Sequence, residues 1–258
     1  MSQELSDRHL QDWNERLVLA ESYVPIVGRL FRDHGVVVSL YGHALVEKSP
    51  VDILREHRWV RRIEEKELSI RDTFPLLEEI AKLDLRPCRL DVGRIAVEWV
   101  RDGRKADPAA FVREQLTDKL AQLPKRVIEQ PQDVVLYGFG RIGRLLARIL
   151  IERAGSGDAL RLRGIVVRKG GEDDVRKRAN LLRRDSVHGR FAGTIKVDEE
   201  NQAIIANGHF IKLIYSNSPE EVDYTAHGID NAIVIDNTGK WRDAEGLGKH
   251  LKAKGAAK

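Results

Sequence analysis

Gly138, Gly140 and Gly143 stand at G-x-G-x-x-G spacing in Tyr137-Gly138-Phe139-Gly140-Arg141-Ile142-Gly143-Arg144. The chemistry this spacing permits is the binding of a pyrophosphate. The first glycine allows a sharp turn. The second leaves the backbone bare for a phosphate, and the third lets a helix pack closely on a strand. A helix starting here also offers free N–H groups and the positive end of its dipole. The same glycines could form a turn that binds nothing, so the flanking elements decide. An apolar run, Val134-Val135-Leu136, enters the motif, and Leu145, Leu146, Ile149 and Leu150 leave it at helical spacing. Strand, turn and helix in this order favour a dinucleotide site.

The elements that must position the motif follow from the residues around it. A strand is expected over 133–137 and a helix over 141–153, with a turn at Gly155-Ser156-Gly157-Asp158 and a second strand over 160–167. That is a βαβ unit with a right-handed crossover. A helix over about 172–184 follows. Three short runs, 193–198, 202–206 and 209–215, are separated by turn residues and read as an antiparallel meander. Ala232 to Asp236 reads as a buried parallel strand ending in Asn237-Thr238-Gly239-Lys240, with a helix from about Asp243 to Lys254. Ligands of open α/β sheets bind beyond the carboxyl ends of the strands. Gly138–Gly143 and Asn237–Gly239 would therefore face one ligand from two sides.

The first half has a different grammar. Leu10, Trp13, Leu17, Ala20 and Val24 recur at helical spacing, and Pro25 is expected to kink or divide that helix. Val36 to Tyr41 reads as one strand or a buried connection. Ser49-Pro50 opens a helix running to about Arg62, Ser69 or Asp72 caps the next, and Asp91 and Asp107-Pro108 open two more. His34, His43 and His57 lack metal-ligand spacing and read as surface or core residues. Arg55, Arg58, Arg61 and Arg62 beside Trp59 are followed by Glu64, Glu65 and Glu67, which favours a solvated mixed-charge face over a nucleic-acid surface. The expected division is an all-helical domain over 1–123, a linker over 124–132 and a Rossmann-type α/β domain over 133–258.

Composition bounds the function. Among 258 residues, 44 basic and 40 acidic side chains give a net charge of +4, too balanced to argue for nucleic acid. Cys88 is the one cysteine, so no internal disulfide or cysteine-rich zinc site is expected, and a reducing cytoplasm fits. Cys88 itself reads as structural. No metal site is expected, no run of about 18 apolar residues is present, and the polar N-terminus is unlike a signal peptide.

Gly138-Phe139-Gly140-Arg141-Ile142-Gly143-Arg144, then Asp185-Ser186-Val187-His188-Gly189-Arg190-Phe191, then Thr238-Gly239, then Lys249-His250-Leu251-Lys252 together resemble the nucleotide-binding half of glyceraldehyde-3-phosphate dehydrogenase, over about 132–258. The first half resembles, more loosely, the N-terminal extension of a longer bacterial form. The resemblance implies oxidation of an aldehyde phosphate by NAD or NADP through a cysteine thioester, followed by attack of phosphate. It implies that Gly138, Gly140, Arg141, Ile142 and Gly143 hold the pyrophosphate, with Phe139 among the cofactor-binding residues of the same turn. Asn217 would lie near adenine, and Thr238 and Gly239 toward the ribose and nicotinamide, with Asn237 also among the cofactor-binding residues. It also implies a homo-oligomer for the full-length enzyme.

Two departures shape the expectation. The position where the family places a ribose-binding acid is Val167, followed by Arg168 and Lys169. A carboxylate there would repel a 2′-phosphate and an arginine would attract it, so NADP is expected to be accepted. The family's Ser-Cys-Thr-Thr-Asn stretch does not occur before Lys258, and Cys88 and the turn residue His188 are in the wrong context to replace nucleophile and base. No catalytic residue is therefore assigned. The expectation is a truncated dinucleotide domain, part of a longer enzyme acting on glyceraldehyde 3-phosphate or erythrose 4-phosphate and inactive by itself. The alternatives are a non-catalytic dinucleotide-binding regulatory module and, less in keeping with the charge balance, a basic nucleic-acid-binding protein.

Overall fold

The computed structural model describes residues 3–120, 130–154 and 160–257. The chain divides into two compact units, Met1–Val127 and Ile128–Lys258. Most of the expected linker (124–129) and the Gly155–Asp158 turn lie outside the described residues.

The first unit is built on helix α1 (Gln3–His34), whose Ala20, Tyr23, Val27 and Leu30 form one buried stripe. Pro25 does not divide this helix. Its ring removes one backbone donor, but the burial of Tyr23 and Val27 on either side holds the helix together across it. β1 (Val37–Leu40) and β2 (His43–Ala44) follow. Helices α2 (Pro50–Trp59), α3 (Arg61–Glu64) and α4 (Ile70–Ile80) come next. Ser49 and Ser69 cap α2 and α4 with side-chain oxygens. β3 (Arg89–Asp91), α5 (Val92–Arg101) and α6 (Pro108–Gln115) complete the unit, with Asp91 and Asp107 as caps. The unit is mainly helical, but not all-helical: β2-β1-β3 form a small sheet, with β1 and β3 parallel. Three residues of β3 are too few to show a period, so only the pairing of Val38 with Leu90 across the fold reveals the strand.

His57 illustrates how this unit constrains a polar group. It is 2% exposed, and Nδ1 lies 2.8 Å from the Ile53 carbonyl, which can only accept. Nδ1 therefore carries the proton, and Nε2 faces Thr73 Oγ1 at 2.8 Å. Burial pushes the imidazole down from 6.5 to about 4. The folded unit keeps His57 neutral where an unfolded chain would protonate it. Stability from this residue is full above pH 6.5 and falls as the pH drops toward 4, by about 3 kcal/mol in total. Urea titrations should show the first unit losing stability across that window, and His57→Gln should flatten the dependence.

The second unit contains β4 (Gln132–Tyr137), α7 (Arg141–Arg153), β5 (Leu160–Val167) and α8 (Asp174–Arg183). A two-residue ladder of β6 (Arg184–Asp185) and β7 (Gly189–Arg190) follows. Then come β8 (Ile195–Asp198), β9 (Ala203–Ala206) and β10 (His209–Tyr215). β11 (Ile233–Asp236) and the short helix α9 (Ala244–Gly248) follow them. The sheet order is β11-β4-β5-β10-β9-β8. The first four strands in that order are parallel, and β10, β9 and β8 form the antiparallel meander. The expected helix over Asp243–Lys254 is shorter than expected: α9 stops at Gly248 and a single 3₁₀ turn covers His250–Lys252. Three glycines within Gly246–Gly255 give the backbone little helical preference.

Alternation along β4 sorts the core. Leu136 packs with Ala147, Ile151 and Leu182 on the face of α7 and α8, while Val135 and Tyr137 pack with Tyr224, Ile229 and Ala253 on the other. The parallel strands are covered on both faces, as such sheets require.

Candidate functional site

The strand ends fix the site. Asp236, Tyr137 and Val166 lie side by side in register, and Tyr215 pairs with Val167. The ladder continues one residue beyond them: Gly138 N–H donates to Val166 O, Ser216 N–H to Val167 O and Asn237 N–H to Tyr137 O. Three loops therefore leave the sheet at one level and open a cleft of about 380 Å³ above it, a size suited to a small-molecule ligand.

The three glycines of the fingerprint do different work. Gly138 turns the chain with φ +100°, and a side chain there would meet Thr238 Cγ2 at 2.8 Å. Gly143 lies under the turn, where a Cβ would come within 2.5 Å of Asn237 Oδ1 and 2.7 Å of Gly138 O. Gly140 is the opposite case: a Cβ there would meet nothing within 4 Å. The open space over Gly140 adjoins the start of α7, whose first N–H groups receive no side-chain cap. That is a cradle for an anion at a helix N-terminus.

Of the other expected residues, Phe139, Arg168, Asn217, Asn237 and Thr238 line the cleft. Arg141 and Ile142 sit exposed on the first turn of α7, and Gly239 turns the chain with φ +71° just outside the lining. Sequence reasoning missed Arg178, Ser216, Lys240 and Trp241, all of which line the cleft. Arg178 comes from α8, one turn after Asp174, whose carboxylate it meets at 2.8 Å. Its other nitrogen donates to the backbone carbonyl of Arg168 at 3.1 Å. The only signal for this in the sequence is a basic residue on the inner face of the helix after the second strand. Trp241 carries the ammonium groups of Lys240 and Lys249 at 4.3 and 4.7 Å from its ring centroid.

The cleft lining holds the cations of Arg168, Arg178 and Lys240 and, among the described residues, no carboxylate. Its floor includes Tyr137, whose hydroxyl pKa is raised by burial and by nearby Asp236. Asn237 Oδ1 is buried against the glycine turn with no donor among the described residues. The arrangement suits a polyanion with an apolar or aromatic part.

The Asp185–Phe191 block has a different role. Asp185 accepts the N–H groups of His188 and Val187, both at 2.9 Å, and His188 Nδ1 at 3.1 Å. Those donors hold the carboxyl far below the usual carboxylate range. Buried Arg148 fastens the block from beneath, donating to Leu182 O and Gly189 O. His188 is half-exposed and bonded to Asp185, a turn residue in this geometry. Among the described residues, no group of three His, Cys, Asp or Glu side chains could hold a metal ion, and no helix is long and apolar enough to cross a membrane.

A parallel sheet with a glycine fingerprint between its first strand and first helix, and with a cationic cleft above the strand ends, defines a Rossmann-type dinucleotide-binding unit. Residues 132–244 match the family described as glyceraldehyde 3-phosphate dehydrogenase, NAD binding domain. Most of this unit is thus similar to the NAD-binding domain of glyceraldehyde-3-phosphate dehydrogenase. The chain is 50% identical, over 90% of its length, to a glyceraldehyde-3-phosphate dehydrogenase-like protein of Pseudomonas aeruginosa (strain UCBPP-PA14), covering 50% of that protein. It is 34% identical over 64% of its length to chloroplastic glyceraldehyde-3-phosphate dehydrogenase B of Pisum sativum, covering 37% of it. Against glyceraldehyde-3-phosphate dehydrogenase of Streptococcus pyogenes, the identity is 36% over 48% of this chain and 34% of that enzyme. The chain thus spans half or less of the length of these relatives.

Proposed function

We propose that the second unit binds NADP or NAD across the strand ends, as the nucleotide-binding part of a phosphorylating aldehyde dehydrogenase of the cytoplasm. The substrate would be a phosphorylated aldehyde, glyceraldehyde 3-phosphate or erythrose 4-phosphate, and the working enzyme a homo-oligomer. The observation that carries the reading is the open space over Gly140 beside the uncapped start of α7. Gly138 and Gly140 would hold the pyrophosphate, with Phe139, Arg141 and Ile142 completing the turn and Gly143 packing it down. Arg168 and Asn217 would take the adenosine half, and Asn237, Thr238 and Gly239 the nicotinamide half. When bound, the dinucleotide supplies a hydride acceptor.

The residues at hand are assigned to binding. Acyl transfer needs a thiolate, and the one cysteine, Cys88, is half-buried in the first unit with its thiol pKa raised by burial despite nearby Lys119 and Arg86.

Arg168 follows the last residue of β5 and is exposed, with Arg178 fixed behind it. Two guanidinium groups line this end of the cleft and, among the described residues, no carboxylate does, Asp174 lying behind Arg178 and offsetting part of its charge. The exposed Arg168 therefore favours a 2′-phosphate, and NADP is proposed to bind at least as tightly as NAD. Calorimetric titration of the purified chain with both dinucleotides, at one ionic strength, tests this. Binding of both, with the dissociation constant for NADP no larger, is the expected result. Tighter NAD binding would remove the role given to Arg168. Binding of neither would remove the cleft reading itself. The regulatory-module alternative shares the binding expectation and parts from this reading on aldehyde oxidation.

A further inference from the structure

We propose that His250 is a positioning residue for the nicotinamide half of the dinucleotide, acting through Asp236 on the Asn237–Lys240 turn. The inference rests on the cleft reading given above and concerns residues outside the cleft lining.

Asp236 is the last residue of β11, and its side chain is 4% exposed. Its carboxylate organises the turn that follows. Oδ1 accepts the Thr238 N–H at 2.7 Å and the Thr238 hydroxyl at 2.8 Å. Thr238 Oγ1 in turn accepts the Lys240 N–H at 3.1 Å. One carboxylate oxygen therefore sets the path of the backbone from strand end to Lys240, and Thr238 and Lys240 both line the cleft. The other oxygen, Oδ2, meets His250 Nε2 at 3.0 Å. A carboxylate can only accept, so Nε2 carries a proton and donates. His250 comes from the 3₁₀ turn after α9, with its side chain 6% exposed. Its ring stands edge-on to Tyr137 at 4.7 Å, and Tyr137 lines the floor of the same cleft.

This arrangement locks the rotation of Asp236. A buried carboxylate with donors on one oxygen only is poorly compensated, and the second donor fixes its plane. Removing that donor frees the carboxylate to turn, and Thr238 turns with it. The consequence is confined to one end of the cleft. Thr238 and Lys240 stand on the β11 side, whereas Arg168 and Asn217 stand beyond β5 and β10. The turn also packs on the fingerprint: Thr238 Cγ2 is the nearest atom to the space beside Gly138. His250 would therefore control the nicotinamide side while leaving the adenosine side in place. His250 is not itself in the cleft lining, so its action is on position.

The test uses the whole chain and two shape-preserving variants. His250→Phe keeps a ring against Tyr137 and removes the donor. His250→Gln keeps a donor near the same place. Each protein is titrated calorimetrically with NAD and NADP and with ADP and 2′,5′-ADP, which lack the nicotinamide half. The expected result is a loss of about tenfold in dinucleotide affinity for His250→Phe. ADP and 2′,5′-ADP should bind within about twofold of the unaltered chain, and His250→Gln should recover most of the dinucleotide affinity. Asp236→Asn, which weakens the acceptor without changing size, is expected to reproduce the selective loss if His250→Phe does not fold. Equal losses for dinucleotides and for ADP would make His250 merely structural and overturn the proposal. Unchanged dinucleotide affinity in His250→Phe would overturn it too. An unaltered chain that binds none of the four ligands would overturn the cleft reading, and this inference with it.

Discussion

Alanine at Gly140 should leave the second unit folded and weaken dinucleotide binding about 100-fold, whereas alanine at Gly143 should destabilise the unit itself by about 2 kcal/mol. The two glycines are three residues apart in one motif, yet their surroundings are opposite. Gly140 has φ −72° and ψ −163°, a conformation that alanine adopts freely, and a Cβ there would meet no protein atom within 4 Å. The substitution therefore changes folding stability by less than about 1 kcal/mol. The methyl would fill the open space proposed for the pyrophosphate and hold the phosphates away from the N–H groups of α7. At Gly143 the Cβ would fall 2.5 Å from Asn237 Oδ1 and 2.7 Å from the Gly138 carbonyl. A backbone atom cannot move aside cheaply, so helix and strand must separate. Thermal unfolding and calorimetric titration, run on both variants, check this. Normal NADP binding by Gly140→Ala would place the phosphates elsewhere.

Aspartate at Arg168 is the second large expected effect: NADP affinity should fall about 100-fold while NAD affinity stays within about threefold. Arg168 is exposed on the rim of the cleft and no bond ties its guanidinium to a carboxylate among the described hydrogen bonds and salt bridges, so its charge is available to a phosphate. Arg178 is different: its Nε is held by Asp174 at 2.8 Å, which offsets part of its charge. Its bond to residue 168 is made to the backbone carbonyl and survives the substitution. The variant thus exchanges attraction for repulsion at one point while the second guanidinium stays fixed. NAD has no charge at the 2′ position and should sense little of this. Because the site is exposed, the difference between the two dinucleotides should also shrink as salt is raised. Parallel titrations of the variant at low and high salt measure both effects. An equal loss for NAD would mean that Arg168 shapes the cleft and does not read the 2′ position.

Much of the second unit was legible in the residues. Repetition of apolar side chains, with glycine at the strand ends, located β4, α7 and β5 because period and punctuation are local properties. The first unit was less so. β3 carries no readable period in three residues, and Pro25 stands in an unbroken helix because tertiary burial of its neighbours outweighs a local penalty. In the site, Gly138, Gly140 and Thr238 could be named from sequence, whereas Arg178 and Trp241 could not. Their contribution depends on which way α8 and the Lys240–Trp241 segment face once packed.

The sequence by itself determined the strand-turn-helix proposed to hold the phosphates and the absence of an acid where the second strand ends. Both are matters of residue type at one position in the chain. Only the tertiary structure decided that Asp236, Thr238 and His250 form one hydrogen-bonded unit, since His250 lies 14 residues after Asp236 and reaches it through a turn. It also decided that Gly140 is open and Gly143 closed. Identical residues acquire different roles there because the difference lies in Asn237 and Gly138, atoms brought close by the parallel pairing of β4 and β11.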